Sequence, residues 1–202
     1  MKLAVVTFTT GDRPEFLEKC RDSVSKNLPK NSTHHIIKTR GLHCFAKART
    51  DALSLGDYYA IVDDDDIVVN DSIGKCFEAI QRNDTGISFS DEALVDLDGN
   101  ILSVREGIRT YEEVKKHPWR IHHLVVIRVD AIKHDVTQLY GRIQGIQTWL
   151  AESAMSNKGA IHVPIIGYHW TQHTDNMSKL GGRIRLPSIH CNFSGVIPQY
   201  TP

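Results

Sequence analysis

Cysteine is scarce in this chain of 202 residues. Cys20, Cys44, Cys76 and Cys191 lie far apart with no Cys-x-x-Cys spacing, which argues against a zinc site or a disulfide framework and leaves reduced core thiols as the simple expectation. No stretch reaches the length of a membrane span, and the opening run Met1 to Phe8 has too short an apolar core for a secretory signal. A cytoplasmic protein is expected. Internal repeats and low-complexity blocks are also missing. Neither sign of charge is in excess, since the net charge is +0. The halves differ, however: residues 1–100 hold 12 basic and 17 acidic side chains, and residues 101–202 hold 12 and 7. With 41% hydrophobic and 24% charged residues, the composition predicts a globular domain with a substantial core.

What is present in concentration is carboxylate. Tyr58 to Asp66 reads as an apolar run ending in four consecutive aspartates. The apolar part suits a strand buried on both faces of a parallel sheet, and ligands in such sheets bind beyond the carboxyl ends of the strands. Two like charges 4 Å apart repel by about 4 kcal/mol at an effective dielectric near 20. The cluster therefore calls for a counter-charge, or for one acid to take up a proton. If the segment stays extended, Asp63 and Asp65 point one way and Asp64 and Asp66 the other, so one pair can grip a cation. Magnesium and manganese favour oxygen ligands, and magnesium commonly binds one or two carboxylates with substrate phosphates completing the shell. That chemistry points to a nucleoside diphosphate. A calcium loop is excluded, because an EF-hand starting at Asp63 needs a polar ligand, a glycine and a glutamate where Ile67, Val68 and Gly74 stand. An aspartyl-nucleophile phosphatase, with Asp63 as nucleophile and Asp65 as acid and base, is the alternative, although its motif belongs on a first strand.

Periodicity predicts alternating strands and helices. Leu3 to Thr9 reads as a buried strand, Pro14 as the first turn of a helix carrying Phe16, Leu17, Cys20, Val24 and Leu28, and His34 to Lys38 as a second strand. A helix through Phe45 to Leu55 precedes the aspartate strand, and another follows over Asp71 to Gln81. These βα units predict a parallel sheet. After Gly86 the pattern changes to a strand over Ile87 to Ser90, a hairpin from Ala93 to Val104 turning at Asp98-Gly99-Asn100, and a strand over Leu124 to Arg128. A long helix within Thr137 to Met155, a strand over Ala160 to Ile166 and a surface tail from Gly181 complete the expectation. The fold class is α/β, with a mixed sheet that is mostly parallel in its first half.

Four segments together resemble the family 2 glycosyltransferases with the GT-A fold, a Rossmann-like architecture. They are Val6 to Pro14 followed by Leu17 and Ser23; Lys47-Ala48-Arg49 ahead of Ile61 to Asp66; Ser88 to Asp91 with Val95 to Asn100; and Tyr168 to His173 continuing to Asn176 and Ser178. In the last segment Thr171 stands where the family usually has arginine. The resemblance covers the chain to about residue 180. It implies one GT-A domain over residues 1–202, with a nucleotide-sugar and metal half over 1–100, an acceptor half over 101–180 and a tail over 181–202. It further implies Mn2+ or Mg2+, a nucleoside-diphosphate sugar as donor, and transfer to an acceptor hydroxyl.

Position by position, the resemblance puts Thr9, Arg13, Arg49, Asp63 and Asp64 against the donor, and Asp63, Asp65, Asp66 and His173 around the metal, with His169 as the fallback histidine. A histidine ligand tilts the choice toward manganese. His122, His123 and Trp170 are the acceptor-side candidates. Inverting members typically carry a Glu-Asp pair where Ile146 and Gln147 stand, with the aspartate as general base, and Gln147 cannot serve. Asp91 and Glu152 are the remaining catalytic candidates, Glu152 lying about 140° around the predicted helix from Gln147. The missing acid keeps a non-catalytic sugar-nucleotide-binding protein open beside the transferase. The acceptor is a glycan, a small molecule or a modified DNA base; for DNA, Lys179, Arg183 and Arg185 are the candidate phosphate contacts.

Overall fold

The computed structural model describes residues 1–39, 45–106, 121, 123–133, 135–136 and 146–173. Its elements are β1 (Leu3–Thr9), α1 (Pro14–Asn27), β2 (Ser32–Lys38), α2 (Phe45–Asp51) with a 3-10 turn Ala52–Leu55, β3 (Tyr58–Ile61), β4 (Ile67–Val68), α3 (Ser72–Arg82), β5 (Ile87–Val95), β6 (Ile101–Arg105), β7 (Val125–Arg128), a 3-10 turn Val129–Ala131, α4 (Ile146–Lys158) and β8 (Ala160–Thr171). One eight-stranded sheet runs β2-β1-β3-β7-β5-β8-β4, with β6 paired to β5. The strands β2, β1 and β3 are mutually parallel, as the repeated βα pattern predicts. Strand β7 then enters antiparallel between β3 and β5, and β8 pairs parallel with β5.

Period-two alternation sorts the core into two layers. Ala4, Val6, Phe8, Tyr59 and Ile61 face one side, against α2 and α4. Leu3, Val5, Tyr58, Ala60 and Val62 face the other, against α1 and α3. Strands covered on both sides read as continuous apolar runs, which is why β1 and β3 stand out in the sequence.

The main departures lie at strand ends. The aspartate segment is not an extension of β3: Asp66 N–H donates to the Asp63 carbonyl at 3.1 Å, closing a turn through Asp64 and Asp65. The expected alternation of Asp63 and Asp65 against Asp64 and Asp66 therefore does not hold. The chain next makes the two-residue strand β4, antiparallel to β8 with Ile67 opposite His169 and Val68 opposite Tyr168. No periodicity marks so short a strand. Strand β8 runs on to Thr171, five residues beyond its expected end, because β4 and the far half of β5 both pair with it. The hairpin forms as expected, with the Asp96 carboxylate accepting from the N–H groups of Asp98 and Asn100 at 3.0 and 2.8 Å and Gly99 at φ +86°. Of the expected helix within Thr137 to Met155, residues 137–145 lie outside the described residues, as does the tail from Gly181.

Candidate functional site

Four chain segments converge beyond the carboxyl end of β3. The end of β1 supplies Thr9, whose hydroxyl accepts from Gly11 N–H at 2.9 Å and bonds the Asp64 carboxylate. Glycine suits position 11, where φ is +86°. The loop then delivers Arg13 at the entry to α1. Its guanidinium forks across two acids: Nη2 donates to Asp64 Oδ1 and Nη1 to Asp65 Oδ2, each at 2.6 Å. From α2, Arg49 Nη2 donates to Asp63 Oδ1 at 3.1 Å while its guanidinium lies over the Phe8 ring, 5.7 Å from the centroid.

The counter-charge expected of a cation is thus met here by two arginines. Burial alone lowers the Arg13 guanidinium, and the carboxylates of Asp65 and Asp64 outweigh it and hold it above its ordinary value. Burial pushes Asp64 up, against the Thr9 hydroxyl and Arg13.

Asp66 has a different place from its three neighbours. It is 2% exposed, and both oxygens are engaged: Tyr168 Oη–H donates to Oδ2 at 2.9 Å and Thr171 N–H to Oδ1 at 2.8 Å. The same Tyr168 oxygen accepts from Asp63 N–H at 3.1 Å. Burial, then the charges of Asp65 and Asp63, raise the Asp66 carboxyl well above the usual range. Asp66 ties β8 to the aspartate turn from below, and its oxygens do not join the open cluster.

The end of β8 brings His173 onto that cluster. Its Nε2 lies 2.9 Å from Asp65 Oδ2 and 3.2 Å from Arg13 Nη1, and its ring packs on Phe16 at 4.9 Å. An imidazole nitrogen and a carboxylate oxygen thus lie side by side next to the Arg13 guanidinium. One carboxylate oxygen and one imidazole nitrogen are groups that manganese or magnesium would accept. Among the described residues no group of three or more His, Cys, Asp or Glu side chains is arranged to hold a metal.

Across the sheet, His123 Nε2 stands 3.6 Å from Asp63 Oδ2, stacked on Tyr168 with centroids 4.6 Å apart. Gln147, in the first turn of α4, places Nε2 3.5 Å from His123 Nδ1. The position expected to hold a general base therefore does lie at the site, carrying an amide. Asp91 sits at the middle of β5 with its Oδ1 2.7 Å from His162 Nε2. Glu152 is exposed on α4, away from the buried Gln147, and the structure does not bring it to the acids. Trp170 lies under Arg105, 4.7 Å from its guanidinium carbon, on the side of the β5–β6 hairpin. His169 is half-buried opposite Ile67, lowered by burial, and His173 rather than His169 meets Asp65. His122 lies outside the described residues, as do Lys179, Arg183 and Arg185. Sequence reasoning missed Tyr168, His162 and Phe16; the first stands inside the Tyr168 to His173 segment and was legible only as part of it.

No family model and no curated protein sequence matches the chain. Solved structures do. The crystal structure of residues 1–349 of S. aureus TarS superposes with a TM-score of 0.59 at 13% identity, covering 85% of this chain and 60% of that one. The fold is similar to that of glycosyltransferase structures. The TarS complex with UDP-GlcNAc gives a TM-score of 0.59 at 11% identity over 86% and 59% of the two chains, and the complex with UDP gives 0.59 at 12% over 85% and 61%. The chain spans about three fifths of the length of these TarS structures, and at such identity the likeness to TarS is one of fold.

Proposed function

We propose that this chain is a glycosyltransferase that takes its sugar from a nucleoside-diphosphate donor, with a divalent cation, Mn2+ or Mg2+, held at Asp65 and His173. The observation that carries this reading is the aspartate turn itself, set at the carboxyl edge of β3 with Thr9, Arg13 and Arg49 around it. The neighbouring structures that contain UDP-GlcNAc and UDP favour a uridine nucleotide as the first donor to test. Thr9 and Arg13 lie where β1 ends, and the first loop after such a strand is where α/β sheets meet a nucleotide. Arg49 holds Asp63 and can turn toward phosphate oxygens, for which its planar fork is suited. Asp65 and His173 would hold the cation, which when bound would supply positive charge against the charge developing on the leaving group. Arg13 and Arg49 supply positive charge at the same place, so the leaving diphosphate meets cationic groups from the protein as well.

The specific observation behind a second reading, a non-catalytic sugar-nucleotide binder, is the amide of Gln147 beside His123. The acceptor is open among a glycan, a small molecule and a modified DNA base, and a DNA acceptor predicts affinity that falls steeply with salt.

Thermal-shift screening of UDP, UDP-GlcNAc and other nucleotide sugars, with and without Mn2+, tests the proposal, because a bound ligand raises apparent stability. Metal-dependent stabilisation by a nucleoside diphosphate is the expected result. Donor hydrolysis then separates the transferase from the binder. Asp65→Ala is expected to lower turnover by about 100-fold or more, as for loss of a group that stabilises a transition-state charge. Full turnover in that variant overturns the assignment of the metal site.

A further inference from the structure

Resting on the transferase reading, we propose that Asp91 and His162 form the proton-accepting pair of the reaction, with Asp91 as the base that Gln147 cannot be and His162 as its positioning residue. The sheet register puts Asp91 in range. Ala60 of β3 stands opposite Val126 of β7, and Val126 opposite Ser88 of β5. Counted three residues on, past the ends of β3 and β7, the same register aligns Asp63, His123 and Asp91. The Asp63–His123 approach and the bond from Ser90 N–H to the Leu124 carbonyl, 3.1 Å, carry that alignment beyond the paired residues. Two strand spacings separate Asp63 from Asp91, about 10 Å between backbones. That gap suits one sugar ring between a diphosphate at Asp63 and a base at Asp91.

Both aspartates also use the same face of the sheet. Arg49, bonded to Asp63, packs on Phe8, which belongs to the layer under α2 and α4. His162, bonded to Asp91, stacks on Phe89 of that layer with centroids 5.2 Å apart and planes 27° apart. The pairing of β5 with β8 is regular to Ser90–Val163, skips Pro164 and Ile165, places Asp91 opposite Ile166, and shifts again before Glu92. Bulges re-aim side chains and recur beside active sites. Here two irregularities flank the single residue Asp91. The pair is mostly shielded, with side chains 13% and 12% exposed, and a 2.7 Å contact fixes one carboxylate oxygen.

In the step proposed, the Asp91 carboxylate takes the proton of the acceptor O–H as that oxygen bonds to the anomeric carbon. The bond from that carbon to the diphosphate oxygen breaks and its electron pair leaves with the diphosphate. The proton then passes from Asp91 to water. His162 sets the carboxylate's direction through the 2.7 Å contact.

Hydrolysis of UDP-GlcNAc, or of whichever sugar nucleotide the thermal screen selects, is measured for the wild type, Asp91→Asn, His162→Leu, His162→Asn and His162→Gln, with UDP binding followed in parallel. Asp91→Asn is expected to lower kcat by about 100-fold or more with UDP affinity unchanged. His162→Leu is expected to lower kcat about tenfold with UDP affinity unchanged, since the carboxylate loses the group that sets its direction. His162→Asn, polar but too short to reach, reads the same loss where leucine does not fold, and His162→Gln, long enough to donate, restores most of the rate. Wild-type rates in Asp91→Asn overturn the pair as base. An impaired Asp91→Asn beside unaltered His162 variants overturns the positioning role. Absence of any nucleotide-sugar binding by the wild type is a separate result and counts against the transferase reading.

Discussion

Arg13 decides what the aspartate cluster does when no ligand is near. Its two donors each meet a carboxylate at 2.6 Å, and Nη1 also stands 3.2 Å from His173 Nε2. A divalent ion bound to Asp65 and His173 would need the space beside His173 and the Asp65 oxygen that Nη1 now uses, so metal and guanidinium would exclude each other there. Removing the guanidinium has two opposed effects. Without metal, Asp64 and Asp65 lose their partner in a mostly buried setting, and breaking such a pair costs about 3 kcal/mol or more. With metal, the ion no longer has to displace a bound cation. Arg13→Gln is therefore expected to melt lower than the wild type in chelator. It should also bind Mn2+ about tenfold more tightly in the absence of nucleotide, a change of about 1.4 kcal/mol. Isothermal titration with MnCl2 alone reads the second effect, and equal or weaker affinity in the variant would show that Arg13 does not hold the metal's place.

At the scale of elements, the site depends on how closely β8 lies against its neighbours. Gly167 is a point of close approach: a Cβ there would press on Ser90 of β5 and stand 2.6 Å from Ser72 Cβ of α3. Gly167 also accepts at its carbonyl from Ser72 Oγ–H at 2.7 Å and from Val69 N–H at 3.1 Å, which fastens β4 and the start of α3 to β8. Gly167→Ala is expected to cost about 1–3 kcal/mol through overpacking. Because the next residue is Tyr168, which holds both Asp66 and Asp63 N–H, the variant should also weaken UDP binding in the presence of Mn2+. Calorimetric melting and UDP titration check the two parts, and a loss of stability with unchanged UDP affinity would show that β8 does not set the aspartate turn. This coupling was not legible in the sequence. The strands β1 and β3 were, because burial on both faces makes them continuous apolar runs. The turn at Asp64–Asp65 and the strand β4 were not, because a two-residue strand has no period, and its existence follows from β8, about a hundred residues away. Asp63 carried its own signal in the run of four aspartates, whereas Arg13, Arg49 and His173 were expected only through the resemblance. Tyr168 and His162 act through partners distant in the chain, so the residue types alone said little.

Across the whole molecule, the strand next to β1 makes folding sensitive to acid. His34 of β2 is 3% exposed and its Nε2 lies 3.0 Å from Thr7 Oγ1 of β1. Burial pushes its imidazole down to about 4 from an ordinary value of 6.5. In the folded protein the ring therefore stays neutral through a range in which the unfolded chain takes up the proton. Stability from this group is fully present above pH 6.5, falls as pH drops below that value, and is lost by about pH 4. Each pH unit of that interval is worth about 1.4 kcal/mol, so the full effect is about 3 kcal/mol. His35 and His169 are lowered by burial as well, and the wild type should weaken in acid through all three. His34→Gln keeps a hydrogen-bonding group near Thr7 and removes only the titration of residue 34. Urea unfolding of both proteins at pH 7.5 and pH 4 is expected to show the wild type losing about 2–3 kcal/mol more than the variant over that interval. Parallel losses in the two would mean that His34 is protonated in the folded state, and that the β1–β2 edge admits a charge where the packing places none.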